Sequence, residues 1–162
     1  MNKHEIYALL EQSGYRHEIT EHPAVYTMED VAALTLAHPE AEAKTLFVRD
    51  DRKSVYYLIT VRAEKRVDLK RFRREQGTRP LRFAPPEELK ALLGLYPGAV
   101  TPLGALNAPE GRVQVALDRD FLDADGLIGV HPNDNTATVW LRARDLVDLL
   151  ARHGVPVTPV AL

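Results

Sequence analysis

The chain has no cysteine among its 162 residues. Disulfides, thiolate nucleophiles and cysteine-ligated zinc are thereby excluded, and any catalysis must use oxygen, nitrogen or bound water. The six histidines (His4, His17, His22, His38, His131 and His153) show no H-E-x-x-H or comparable ligand spacing. No metal site is expected. The sequence also has neither G-x-G-x-x-G nor G-x-x-x-x-G-K-[ST], so dinucleotide and P-loop sites are unsupported and no organic cofactor is expected. No apolar run approaches the roughly 18 residues of a membrane span. The opening MNKHEIYALLEQSG has the spacing of an amphipathic helix rather than of a leader. The default expectation is a cytoplasmic protein without membrane contact.

The composition is that of a globular protein, 45% hydrophobic and 27% charged, which argues against disorder. The length suits one domain spanning residues 1–162 with a core of its own. A net charge of -2 conceals a segregation. Between Arg62 and Arg82, nine Lys/Arg face three acids, for +6, which leaves -8 on the rest of the chain. A protein that meets a polyanion through one face looks like this. A solvated helix whose long basic stems cover apolar surface looks the same.

Periodicity predicts a mixed α/β order. An opening helix ends at Gly14, and a strand over Tyr15–Thr20 is broken by Glu21-His22-Pro23. Thr27-x-x-Asp30 reads as the capped start of a short helix, Met28 to about Leu34. His38–Ala43 reads as a mobile loop. Lys44–Arg49 and Ser54–Arg62 form a hairpin across Asp50–Lys53, with Tyr56, Leu58 and Thr60 on one face and Tyr57, Ile59 and Val61 on the other. A charged helix over Val67–Glu75 is followed by a strand over Leu81–Ala84 and a helix over Glu87–Leu93, with proline before its entry and glycine past its exit. Val100–Leu106, Arg112–Leu117, Leu127–Val130 and Ala137–Leu141 are strand candidates. A last helix covers Ala143–Arg152, and Val155–Val160 reads as an edge strand, where prolines are tolerated. The irregular alternation favours a mixed, mostly antiparallel sheet or partly closed barrel flanked by helices over a doubly wound parallel fold.

Three polar or Gly/Pro-marked islands stand beside these apolar runs: KTLF (Lys44–Phe47), PGAVTP (Pro97–Pro102) and HPNDNTAT (His131–Thr138). Brought to one mouth they supply an ammonium, a turn with exposed amides and a His/Asn/Thr cluster, which is equipment for holding and hydrolysing an ester. Each also has a plain structural reading. Lys44 reads as a solvated strand-end lysine, Pro97-Gly98 as a tight turn, and His131 and its asparagines as turn residues bonding their own backbone. Thr45 follows Lys44 on the opposite strand face, so both reach one pocket only across a bend or bulge.

The set HPAVYT (His22–Thr27), KTLFVRD (Lys44–Asp50), YYLITV (Tyr56–Val61), KRVDLK (Lys65–Lys70), LRFAPPEEL (Leu81–Leu89), LGLYPGAVTPLGALN (Leu93–Asn107) and HPNDNTATVWL (His131–Leu141) resembles the YbaK/ProX superfamily. These are freestanding relatives of the editing domain of prolyl-tRNA synthetases, and the likeness runs from about His22 to Gly154. It implies the editing-domain fold and hydrolysis of a mischarged aminoacyl-tRNA. HPAVYT, PGAVTPLG and HPNDNTATV look most like the branch that removes alanine from tRNA(Pro). Thr45 stands where that branch has asparagine, and the Lys-Thr pair is more typical of the cysteinyl-tRNA branch. Cysteinyl- or seryl-tRNA deacylation is therefore the alternative within the class, and a noncatalytic tRNA- or synthetase-binding module the alternative outside it.

By the same resemblance Lys44 matches the family's functional lysine, Gly98–Pro102 its G-x-x-x-P loop, and His131 its motif histidine. These imply that Lys44 orients the ester, amides of the Gly98 loop stabilise the oxyanion, and His131 assists positioning or proton transfer. Val25, Thr45, Leu46 and Phe47 are candidates for the wall of the amino-acid pocket. Asn133, Asn135 and Thr136 are candidates for binding the substrate amine or ribose. Arg71, Arg73 and Arg74 are candidates for contact with tRNA phosphates. The implied partner is the acceptor end of mischarged tRNA(Pro), with prolyl-tRNA synthetase as a further candidate and DNA not expected.

Overall fold

The computed structural model describes residues 1–34 and 36–162, and the side chains of all of these except Ala124. Five α-helices, α1 (Lys3–Ser13), α2 (Met28–Ala32), α3 (Leu69–Gln76), α4 (Pro86–Leu93) and α5 (Ala143–Arg152), surround two open sheets. The larger sheet runs in the order β4 (Leu81–Phe83), β2 (Ala43–Asp50), β3 (Tyr56–Arg62), β5 (Val113–Asp118), β8 (Val157–Val160). Its β2 pairs antiparallel with both β3 and β4, while β3–β5 and β5–β8 are parallel. The smaller sheet, β1 (His17–Glu21), β7 (Ala137–Arg142) and β6 (Leu127–Val130), is antiparallel throughout. A single bridge from Glu42 to Gly129 joins the two sheets just before β2 begins. Neither sheet closes into a barrel, and the α/β class with mostly antiparallel pairing is as expected.

The alternation read from β3 places its side chains as predicted. Tyr56 and Leu58 enter the larger core, with Phe47, Leu103 and Ile128, whereas Ile59 and Val61 enter a smaller core on the other face of the sheet, with Tyr57 packed against it. The smaller core seats α3 through Phe72, the one buried residue of that helix. Burying a phenylalanine is worth about 1.5–3 kcal/mol, so the strongly basic α3 is held to the sheet mainly by this anchor. Thr27 and Asp30 form the capping box read from their spacing, Thr27 Oγ1 accepting from Asp30 N–H at 3.1 Å and Asp30 Oδ2 from Thr27 N–H at 3.2 Å. The helix is shorter than expected, stopping at Ala32.

Two expectations are corrected. Val100–Leu106 is no strand: Pro102–Asn107 form a 3-10 helix with Pro102 at its start and Thr101 Oγ1 accepting from Leu103 N–H. Proline in the first turn and the threonine cap override the β-branched propensity of the run. His38–Ala43 is no open loop, since Pro39–Ala41 form a 3-10 turn with Ala41 buried and Glu42 bridges to the second sheet. Among the described residues, no helix is long and apolar enough to cross a membrane.

Candidate functional site

A cleft of about 190 Å³ opens where the segment before α2, the start of β2, the Pro97-Gly98 turn and the end of β6 converge. This is below the roughly 300–1,000 Å³ of pockets that engulf drug-sized ligands. It suits an amino-acid side chain and ester, with the remainder of a larger substrate outside.

The wall along β2 consists of four consecutive residues, Glu42, Ala43, Lys44 and Thr45. The register between β2 and β3 is unbroken from Ala43 to Arg49, so there is no bulge. Lys44 and Thr45 both border the cleft because β4 pairs only with Val48–Asp50, leaving the earlier edge of β2 open. The expectation that only a bend or bulge would bring both to one pocket is corrected by this edge-on approach. Thr45 Oγ1 shares a hydrogen bond of 3.0 Å with Thr60 Oγ1 of β3. Lys44 makes no ion pair among the described residues.

Opposite lies the turn Tyr96–Ala99, closed by Ala99 N–H donating to the Tyr96 carbonyl at 3.0 Å. Proline at its second position and Gly98 at φ 96° at its third are the requirements of a type II turn. Space is also limiting, since a Cβ on Gly98 would lie 2.9 Å from the Val25 carbonyl oxygen and 3.2 Å from the Tyr26 ring. Among the described residues, the amides of Gly98 and Val100 donate to no backbone acceptor. Both residues border the cleft.

His131 follows β6 and closes a third side. Its Nδ1 lies 2.9 Å from the Ala137 carbonyl oxygen, which only accepts, so Nδ1 carries the hydrogen and Nε2 is the acceptor of the neutral ring. Burial holds its pKa below the usual 6.5, and nearby His22, with ring centroids 6.2 Å apart, disfavours a second positive charge. His22 is itself fixed, Nδ1 donating to the Pro23 carbonyl at 2.9 Å and Nε2 sharing a hydrogen bond of 3.0 Å with Thr138 Oγ1.

Asn135 ties the walls together. Its Nδ2 donates to the Val25 carbonyl at 2.7 Å, its own carbonyl accepts from Val25 N–H at 3.2 Å, and its Oδ1 accepts from the Tyr96 hydroxyl at 2.9 Å. One buried amide thus holds the segment before α2 against the Gly98 turn.

Of the residues expected in the site, Lys44, Thr45, Gly98, His131 and Val25 meet at the cleft. Leu46 and Phe47 do not border it: Leu46 packs on the smaller core, and Phe47, 5% exposed, stacks on Tyr56 in the larger one. Thr136 faces α1, accepting from Lys3 Nζ at 2.9 Å, and Asn133, at φ 60°, donates to the Met1 carbonyl. Asn135 acts on the cleft from behind. Arg71, Arg73 and Arg74 are exposed on α3, away from the cleft lining, and Arg71 is engaged with Glu75 at 2.9 Å.

The residue that sequence reasoning missed is Glu42. It borders the cleft, is 5% exposed, and its Oε2 has no hydrogen-bond partner among the described residues. Burial pushes its carboxyl up to about 7. The available signal was its position two residues before Lys44, on the same strand face. Exposed Tyr26 and Met28 on the cleft rim were also missed.

The family model of the aminoacyl-tRNA editing domain matches residues 22–149. The chain is 32% identical over 152 residues to the prolyl-tRNA editing protein ProX of Acetoanaerobium sticklandii, covering 94% of this chain and 92% of that one. It is 32% identical over 157 residues to prolyl-tRNA synthetase associated domain-containing protein 1 of Bos taurus, covering 93% and 91%. Among solved structures, one described as a putative trans-editing enzyme for prolyl tRNA synthetase superposes with a TM-score of 0.72 at 27% identity, over 99% of this chain and 96% of that one.

Proposed function

The chain belongs to the aminoacyl-tRNA editing domain family, and from that membership we propose that it hydrolyses the ester of mischarged tRNA(Pro) in trans, with alanyl-tRNA(Pro) as substrate. The observation that carries this reading is the convergence of Lys44, the free amides at Gly98 and His131 on one small cleft, in a chain alike over nearly its whole length to a prolyl-tRNA editing protein. An aminoacyl ester is already activated, so positioning and charge stabilisation suffice without a strong protein nucleophile.

Water attacks the ester carbonyl. The Gly98 and Val100 amides face the oxygen on which negative charge develops, and Lys44 supplies an ammonium to the ester, the terminal ribose or a neighbouring phosphate. His131, kept neutral by its burial and oriented through Ala137, presents Nε2 as an acceptor for the water or a ribose hydroxyl. Collapse of the tetrahedral intermediate releases the amino acid and the 3′ end of the tRNA. The cleft admits alanine, and exclusion of the bulkier proline ring is assigned to Val25 and Gly98 in its lining. The tRNA acceptor end is the macromolecular partner, with Arg73 and Arg74 on its phosphates and prolyl-tRNA synthetase as the delivering enzyme.

The test is deacylation of alanyl-, cysteinyl- and seryl-tRNA(Pro), with prolyl-tRNA(Pro) as control, by wild type and Lys44→Ala. Alanyl ester is expected to be lost fastest, and Lys44→Ala to lower that rate by about 100-fold or more while the protein stays folded. Faster loss of the cysteinyl or seryl ester moves the substrate to that branch. No acceleration of any ester by folded protein makes the chain a binding module, and wild-type turnover in Lys44→Ala removes Lys44 from the mechanism.

A further inference from the structure

The hydrolytic mechanism uses no carboxyl group, yet the cleft holds one. Four charged side chains are buried among the described residues: Glu42, Arg49, Asp50 and Asp118. Three are paired within the protein. Arg49 Nε lies 2.8 Å from Glu88, Asp118 lies 2.7 Å from Lys65 Nζ, and Asp50 accepts from the Ser54 and Arg52 amides at 2.8 and 3.1 Å. Among the described residues Glu42 alone of the four has neither an ion pair nor a hydrogen bond to its carboxyl, not even with Lys44 two residues along the same face, and its Oε2 is buried without a partner. It is also the only one of the four that borders the cleft.

A buried carboxylate without a partner is costly, and what relieves it is a cation or a cluster of N–H donors arriving from the cleft. The groups beside it are poor matches for a cationic substrate group: Lys44 is itself a cation, the Gly98 and Val100 amides only donate, and His131 offers one neutral nitrogen. An aminoacyl ester carries one cation, the α-ammonium, one bond from the carbon that bears the reacting carbonyl.

We propose that Glu42 is the receptor for the α-ammonium group of the aminoacyl ester, so that the site takes esters with a free α-amino group and rejects N-acylated ones. The assignment rests on the deacylase reading and adds a specificity determinant to it. The carboxylate anchors the amino end, the amides take the carbonyl oxygen, and the side chain is left toward Val25. The ester is thereby held at two points on either side of its α-carbon, which fixes the face presented to water. The raised pKa of Glu42 agrees with a carboxyl that lacks a partner until substrate supplies one.

The experiment compares alanyl-tRNA(Pro) with N-acetyl-alanyl-tRNA(Pro) for wild type and Glu42→Gln, with thermal unfolding to show that both proteins are folded. Acetylation removes the charge and leaves the ester in place. Wild type is expected to prefer the free amine, and Glu42→Gln to lose about 10- to 100-fold in kcat/KM on the alanyl ester with no loss on the acetylated one. Should Glu42→Gln fail to fold, Glu42→Asp, which retains the charge, is expected to keep the free-amine preference at a reduced rate. Equal loss on both esters places Glu42 on the reacting centre and overturns the assignment, as does an unchanged rate on both. If wild type hydrolyses neither ester, the deacylase reading itself fails and takes this one with it.

Discussion

Strand β2 has a buried carboxylate at each end, and the two are treated in opposite ways. At the hairpin end, Asp50 accepts from two backbone amides and the Ser54 hydroxyl. Burial alone would raise its carboxyl, but these bonds hold it below the usual range. At the cleft end, Glu42 is just as buried and has no such bonds, and its carboxyl rises to about 7. The same residue chemistry on the same strand thus organises a turn in one place and waits for a partner in the other. A buried polar group that the protein satisfies is part of the fold, and one left unsatisfied beside a cleft marks where a ligand is to bind.

A pH series separates the two carboxyls most strongly. Between pH 4.5 and about 7 the folded protein holds a proton on Glu42 that the unfolded chain has released. Stability therefore falls as pH rises through that window, by about 3 kcal/mol. Glu42→Gln should abolish the fall, seen as the difference between the two denaturation profiles. Asp50 runs the other way. Its depressed carboxyl contributes stability above its unfolded value of 3.8, and that contribution is lost as pH drops through the lower folded value. Parallel profiles for wild type and Glu42→Gln would show that Glu42 is paired in solution.

Removing the satisfied carboxylate should have the next largest effect. Asp50→Ala orphans the Ser54 and Arg52 amides at the hairpin and is expected to cost about 2 kcal/mol in urea denaturation, with deacylation per folded molecule unchanged. Gly98→Ala must place a Cβ 2.9 Å from the Val25 carbonyl at a positive φ. A loss of about 1–2 kcal/mol is expected, and because the turn is a wall of the cleft, turnover should fall by more than stability explains. An unaltered rate would reduce the turn to scaffolding. The smallest effect belongs to α3, where Arg73→Glu with Arg74→Glu should raise KM for tRNA several-fold and flatten its salt dependence, leaving kcat and melting temperature in place.

Local features were legible in the residues. The Thr27/Asp30 capping box, the hairpin at Asp50–Lys53, the two faces of β3 and the helix ends at Gly14 and Gly94 all appear where their patterns put them. Lys44, Gly98 and His131 were identified by motif and are brought together by the fold. The wall was not legible: Leu46 and Phe47 look like pocket residues beside Lys44, but the edge-on approach of the cleft sends them to the two cores.

Features governed by a few neighbouring residues are written in the sequence, because caps, turns and alternation depend on dihedral preferences and hydrogen bonds that close within one turn or one strand. The burial of Glu42, within the segment read as a mobile loop, its bridge to Gly129, and the bond from Asn135 to Val25 across 110 positions come from the tertiary structure alone. Burial and hydrogen-bond satisfaction are properties of what the whole chain brings alongside a residue, and short-range sequence pattern carries little record of them.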